Sequence, residues 1–254
     1  MHRLVLCALA LSLTAVMITD QTLLACDTPQ TINASKSEQP PVMTRSGINS
    51  VLASLPRVTY QELAPEFRES MNMNGRFLKR YQGQKFYVVK ETELDRRLVG
   101  HFRIREFIMP VDTSLKGRFD SALNELLGGR SEPVRQHYLL MDKAVLYRLL
   151  HLMKELQKAG HNPHALAIDS GFRAPAHNEH IGGAKKSQHL WGKAIDFRVK
   201  DINGDGLVGM MDKRIVLDIL ERRVIAQRGG IGRYLDHDTA LHIDVRGYPA
   251  RWNR

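Results

Sequence analysis

The chain has 254 residues, 43% of them hydrophobic and 25% charged, a balance that excludes collagen-like and wholly disordered chains. The length suits one well-buried domain with an extension, or two small domains. Thirty-seven basic against 27 acidic residues leave a net charge of +10, which favours an anionic partner such as nucleic acid, lipid headgroups or cell-wall polymer.

Met1-His2-Arg3 precedes the almost wholly apolar run Leu4 to Thr19. A short basic start and such a run describe a secretory signal, since a spanning helix needs roughly 20 apolar residues. Leu23-Leu24-Ala25-Cys26 resembles a lipoprotein signal sequence, whose cysteine becomes the lipidated first residue. Leu24 and the nearby Asp20-Gln21 fit that pattern poorly, so a soluble exported form and an uncleaved anchor stay open beside lipidation. Residues 1–26 are thus expected to export the protein to the periplasm or cell envelope, with membrane contact only through this N-terminus. Cys7 and Cys26 are the only cysteines, so the rest of the chain carries neither a disulfide framework nor a cysteine zinc site. Ten of the eleven histidines follow residue 100, and metal chemistry there must use imidazole and carboxylate.

Residues 27–57 are rich in Ser, Thr, Pro, Gln and Asn and read as a tether. Together with short mixed pieces up to residue 97 they form an expected tether and N-terminal extension, in which 85–89 is the best strand. The clearest helix runs from about Asp142 to Ala159, with Val145, Leu146, Leu149, Leu152, Met153 and Leu156 at helical spacing, Asp142 as cap and Gly160 as stop. Strands are expected at 165–168, 193–199 and 241–245, and a further helix at about 212–227. Without regular βαβ alternation the class is α+β.

Ser187-Gln-His189-Leu-Trp-Gly192-Lys-Ala194-Ile-Asp196 places a histidine seven residues before an aspartate. A turn at Gly192 leading into a strand would bring His189 and Asp196 to one side of a sheet. Leu241-His242-Ile243-Asp244 supplies a third candidate ligand on an apolar strand. Imidazole and carboxylate suit zinc, and three protein ligands plus water make a catalytic site.

These residues resemble the zinc D-Ala-D-Ala carboxypeptidase family, whose fold is shared with hedgehog signalling domains and lysostaphin-type enzymes. The family pattern S-x-H-x-x-G-x-A-x-D followed by a later strand histidine is met at every fixed position. Ser170-Gly171-Phe172-Arg173 with Asn178, and His101 to Phe107, look like further family segments, the latter of the murein endopeptidase K branch. The resemblance covers about residues 98–254. It implies a small, mostly antiparallel sheet flanked by helices and carrying zinc on His189, Asp196 and His242. Arg173 would bind an anionic part of the substrate, and Ser187 would either bond the substrate or shape the turn. Where several branches carry an acid, three residues before the last histidine, this chain has Thr239. The base candidates are Asp244, then Asp236, then Asp238, with Asp244 alternatively orienting a ligand.

Asp201-Ile-Asn203-Gly-Asp205-Gly206-Leu207 through Asp212 fits a twelve-residue calcium loop, with Asp212 where glutamate is usual. A structural calcium ion is expected on Asp201, Asn203, Asp205, the Leu207 carbonyl and Asp212. The sequence therefore points to an exported zinc peptidase acting on peptidoglycan stem peptides or cross-links. The alternative is a cell-wall-binding module of the same fold without turnover. The absence of interleaved basic and aromatic residues argues against a nucleic-acid partner.

Overall fold

Thr44 caps helix α1 (Arg45–Ser54) by accepting from the Gly47 N–H, and Ile48, Val51 and Leu52 turn inward. The computed structural model describes residues 40–71, 78–108, 136–234 and 239–253. Helix α1 lies within the stretch expected to be tether. Its three apolar residues have helical spacing, but their polar neighbours hide a single helix of this length from composition. Residues Gln39–Arg254 form one unit, which holds both the later part of the expected extension and the residues after 97. The export signal and Cys26 lie outside the described residues.

After β1 (Arg57–Thr59), α2 (Pro65–Met71) and α3 (Leu78–Tyr81), strand β2 (Lys85–Lys90) covers the expected 85–89 segment. A short hairpin, β3 (Arg97–Val99) and β4 (Phe102–Arg103), precedes β5 (Gln136–Leu139). Strands β1, β2 and β5 pair antiparallel in the order β1-β2-β5. Phe67, Tyr81, Phe86 and Tyr138 from this region are all buried, and the Phe86 ring lies 6.3 Å from Phe172 of the Ser170–Arg173 segment. The extension is therefore part of the core that supports the site, not an appendage.

Helix α4 (Lys143–Lys158) follows the expected pattern, with the Asp142 carboxylate accepting from Ala144 N–H and Gly160 taking a left-handed φ of 79°. Its buried stripe, Val145, Leu146, Leu149, Leu150, Leu152, Met153 and Leu156, makes it the main apolar prop of the fold. Truncating one such leucine to alanine costs about 2–5 kcal/mol.

The second sheet carries the chemistry. It is built from β6 (Leu166–Ser170), which is followed by helix α5 (Pro175–His180), then β7 (Ala194–Val199), helix α6 (Met210–Ile219), β8 (Gly230–Gly232), β9 (Ala240–Asp244) and β10 (Ala250–Trp252). The strand order is β10-β8-β9-β7-β6, antiparallel throughout except for the parallel β10–β8 pair. The class is α+β, with small sheets and helices. Helix α6 starts earlier and stops sooner than its periodicity suggests, giving way to a π turn at Leu220–Val224. Among the described residues no helix is long and apolar enough to cross a membrane.

Candidate metal centre

Register, more than sequence distance, assembles the site. In the β7–β9 ladder Asp196 stands directly opposite His242, so both side chains leave the sheet on one face. His189 arrives from a 3-10 turn, Gln188–Trp191, that ends at Gly192 with φ 63°. A Cβ on Gly192 would lie 2.1 Å from the Leu140 carbonyl oxygen, so only glycine permits this close turn. Ser187 caps the turn, its hydroxyl accepting from His189 N–H at 3.4 Å. Tyr81 of the extension donates its hydroxyl to the Leu190 carbonyl at 2.8 Å, holding the turn from behind.

Three electron-pair donors converge here. His189 Nε2 lies 3.1 Å from His242 Nδ1 and 3.2 Å from Asp196 Oδ1, and His242 Nδ1 lies 2.7 Å from the same Asp196 oxygen. Tetrahedral zinc with bonds of 2.0–2.1 Å places its ligands about 3.3 Å apart, close to these three edges. His189, Asp196 and His242 are the only group of three or more such residues among the described ones whose ligand atoms gather within 4.8 Å. The donor set and its spacing fit a metal ion.

The outer contacts fix the ligand atoms. His189 Nδ1–H donates to the Gly171 carbonyl at 2.6 Å, which leaves Nε2 unprotonated and facing the centre. Burial first, and then His242 and Arg173, favour the neutral ring and outweigh Asp196, so the His189 pKa lies below the ordinary value. On His242 burial also opposes charge, but bonds to Asp196 and Asp244 outweigh it and raise the pKa. For Asp196, burial raises and the two histidines lower, with the histidines prevailing. Arg173 reaches Asp196 Oδ2 through Nη2, and its Nε donates to Ser170 Oγ at 2.8 Å.

Asp244 is not placed as a proton acceptor at the centre. It lies beyond His242, with Oδ2 3.1 Å from Nε2, whereas the metal-facing nitrogen is Nδ1. Its carboxylate is fully buried and accepts from Arg246 Nε at 2.9 Å, Arg246 Nη2 at 2.5 Å, Arg246 N–H and Gly230 N–H. Burial pushes its pKa up, but His242 and Arg246 outweigh that and hold it well below the usual carboxylate range. Such a group orients His242. As the i and i+2 positions led one to expect, its carboxylate stands beside the His242 imidazole, at Nε2, the ring nitrogen away from Asp196. Asp236 and Asp238 lie outside the described residues.

Arg246 and the pair Tyr234–Trp252 escape the sequence reading. Arg246 had a signal, two positions after Asp244 at strand spacing; Trp252 had none. The Trp252 ring lies 5.0 Å from the His242 ring. The Tyr234 hydroxyl is pushed up to about 12 by burial and then by Asp196, against Arg173 and a bond with Trp252.

The expected calcium loop uses its carboxylates differently. Asp212 is 2% exposed, and its oxygens accept from Ile202, Asn203 and Gly209 N–H at 2.8, 3.3 and 3.0 Å. It therefore closes the start of α6, as a capping residue does. Asp201 accepts from Gly204 and Gly206 N–H, while Asn203 and Asp205 bond each other and Asp205 accepts from Leu207 N–H. Asp201, Asp205 and Asp212 do not form a converging ligand group, and the geometry gives calcium no support. Asn178, also flagged by its motif, is buried and donates to the Ala184 carbonyl at 3.2 Å, bracing the loop before His189.

The histidine–carboxylate–histidine arrangement on a mainly antiparallel sheet defines the class as a candidate metal centre. A family model described as Peptidase M15 matches residues 121–244, a span holding all three ligand candidates. The resemblance to the zinc D-Ala-D-Ala carboxypeptidase-like metallopeptidases of that family is thereby borne out. No curated protein and no solved structure gives a match.

Proposed function

We propose that the chain is a zinc-dependent peptidase that hydrolyses peptidoglycan stem peptides or their cross-links, as a D,D- or L,D-endopeptidase or carboxypeptidase. The observation that carries this reading is the triangle of His189 Nε2, Asp196 Oδ1 and His242 Nδ1 within the span matched by the peptidase family. Zinc, when bound, polarises a carbonyl and lowers the pKa of water to about 7. Gly171 and Asp244 hold the two imidazoles in the tautomers that present Nε2 and Nδ1 to the centre. Arg173 steadies Asp196, and its Nη1, without a hydrogen-bond partner among the described residues, suits a substrate carboxylate.

With Asp244 committed to Arg246 and His242, the proton-accepting role passes to Asp236. That acid would take the proton from the attacking water and return it to the leaving amine. An export signal ending near Cys26 would deliver the domain to the cell envelope, with or without a lipid. The net charge of +10 would favour approach to an anionic wall.

A second reading, a wall-binding module that has lost turnover, is favoured by Thr239 at the usual acid position and by the commitment of Asp244. Digestion of purified sacculi followed by mass spectrometry separates the two. Shortened stems or split dimers support the peptidase. Intact muropeptides, with the protein retained on the sacculi, support the module.

A further inference from the structure

One row of residues crosses all five strands of the second sheet. Ser170 stands opposite Asp196, Asp196 opposite His242, His242 opposite Gly232, and Gly232 opposite Trp252. Residues paired in this way leave the sheet on one face. The two ligand candidates in the middle of the row are therefore flanked on both sides. Towards β6, Arg173 reaches Asp196 and donates to Ser170 Oγ. Towards β10, the row ends in Trp252.

Strand β8 leaves room for that side to reach His242. Gly230 and Gly232 are two residues apart and share a face. A Cβ on Gly230 would lie 2.7 Å from the Asp244 carboxylate carbon, and one on Gly232 would lie 2.7 Å from Trp252 Nε1 and 2.9 Å from His242 Cβ. A carboxylate and an indole thus fill the space of the two missing side chains. A closed ring of contacts results. His242 Nε2 meets Asp244 Oδ2 at 3.1 Å, and that oxygen accepts from Arg246 Nε and Nη2 at 2.9 and 2.5 Å. The Arg246 guanidinium carbon lies 5.1 Å from the centre of the Trp252 ring, which lies 5.0 Å from the His242 ring at 57°. A charge-assisted fork, a cation–π contact and ring packing link the members in turn. One guanidinium therefore fixes both groups that hold the imidazole.

We infer that Arg246 and Trp252 are positioning residues for His242, aiming its Nδ1 at the metal through Asp244 and through ring packing. This rests on the zinc reading above and not on the identity of the substrate. Asp244 is fully buried, so without the fork its carboxylate would lose the partner that sets its direction. Without the indole, the imidazole would lose the wall that limits its rotation.

The test uses the full chain. In the metal-free protein, proton NMR should show a downfield resonance for the His242 Nε2–H bonded to Asp244, identified by its loss in His242→Gln. Arg246→Lys keeps the charge but loses the planar fork, and Trp252→Phe keeps a ring but makes it smaller. Each should shift that resonance and weaken zinc binding about tenfold, measured by competition with a chelating dye. Because Arg246 acts through Asp244, adding Arg246→Lys to Asp244→Asn should weaken zinc by less than about threefold further. Leu156→Val loosens α4 without touching the ring, and should leave both the resonance and the zinc affinity unchanged. Wild-type resonance and zinc affinity in Arg246→Lys and Trp252→Phe overturn the inference. So do fully additive losses in the double variant, or an equal loss of zinc affinity in Leu156→Val. These readouts need no cleavage, so a wild type that binds zinc but cleaves no muropeptide contradicts the peptidase reading alone. One that binds no zinc contradicts both.

Discussion

His242 Nε2 lies 3.1 Å from Asp244 Oδ2, on the side of the ring away from Asp196. This contact divides the two acids of the site into different roles. Asp196 faces the centre, and Asp244 sets the ring that faces it.

Replacing Asp244 by asparagine should therefore weaken zinc binding about 10–100-fold. Much of the cleavage should return when zinc is raised to saturation. Competition with a zinc-binding dye checks the affinity. Unchanged zinc affinity with abolished kcat would return Asp244 to the role of base.

Gly192→Ala should destabilise the fold by about 3 kcal/mol or more, because a left-handed residue would also drive its Cβ into the Leu140 carbonyl. Urea unfolding of the two proteins measures the difference. A loss below about 0.5 kcal/mol would mean that the turn before β7 adapts, contrary to the packing described.

Asp212 gives a pH signature. Burial pushes its pKa up, but the N–H groups of Gly209, Ile202 and Asn203 prevail and hold it below the ordinary 3.8. The unfolded chain then binds a proton more readily than the folded one, so this group's stabilisation is full above the ordinary value. It is lost as pH falls through the folded value. Asp212→Asn should cost about 2 kcal/mol at neutral pH, and the gap from wild type should narrow in acid below pH 3.8. Thermal melts across that range test this.

With Asp212 acting as this cap, calcium is expected to add no stability. Melting temperature should be equal in millimolar calcium and in a calcium-selective chelator. A clear upward shift with calcium, abolished by Asp201→Asn, would restore the loop as a calcium site.

The motif was legible because geometry constrains each fixed position. Gly192 must be left-handed, Ala194 must be small where it pairs with Asp244 in the ladder, and Asp196 must stand opposite His242. Strands β7 and β9 and helix α4 were legible for the usual reason, an apolar period long enough to stand out. Helix α1 was not, because three inward residues among polar neighbours look like linker. The role of Asp244 was hidden for another reason. Sequence spacing places it on the face of His242, but which ring nitrogen it meets depends on the orientation of the imidazole, which turns Nδ1 to Asp196 and Nε2 to Asp244. The calcium pattern alone does not separate a metal loop from a metal-free one, because Asx-type turns and calcium loops draw on the same Asp, Asn and Gly residues.

The most direct test follows hydrolysis of a cross-linked muropeptide by mass spectrometry, before chelation, after chelation, and after adding back one equivalent of zinc. Cleavage should be lost, then restored, and should be absent from His189→Ala under all three conditions. Cleavage that survives chelation, or that His189→Ala retains, would contradict the zinc peptidase reading.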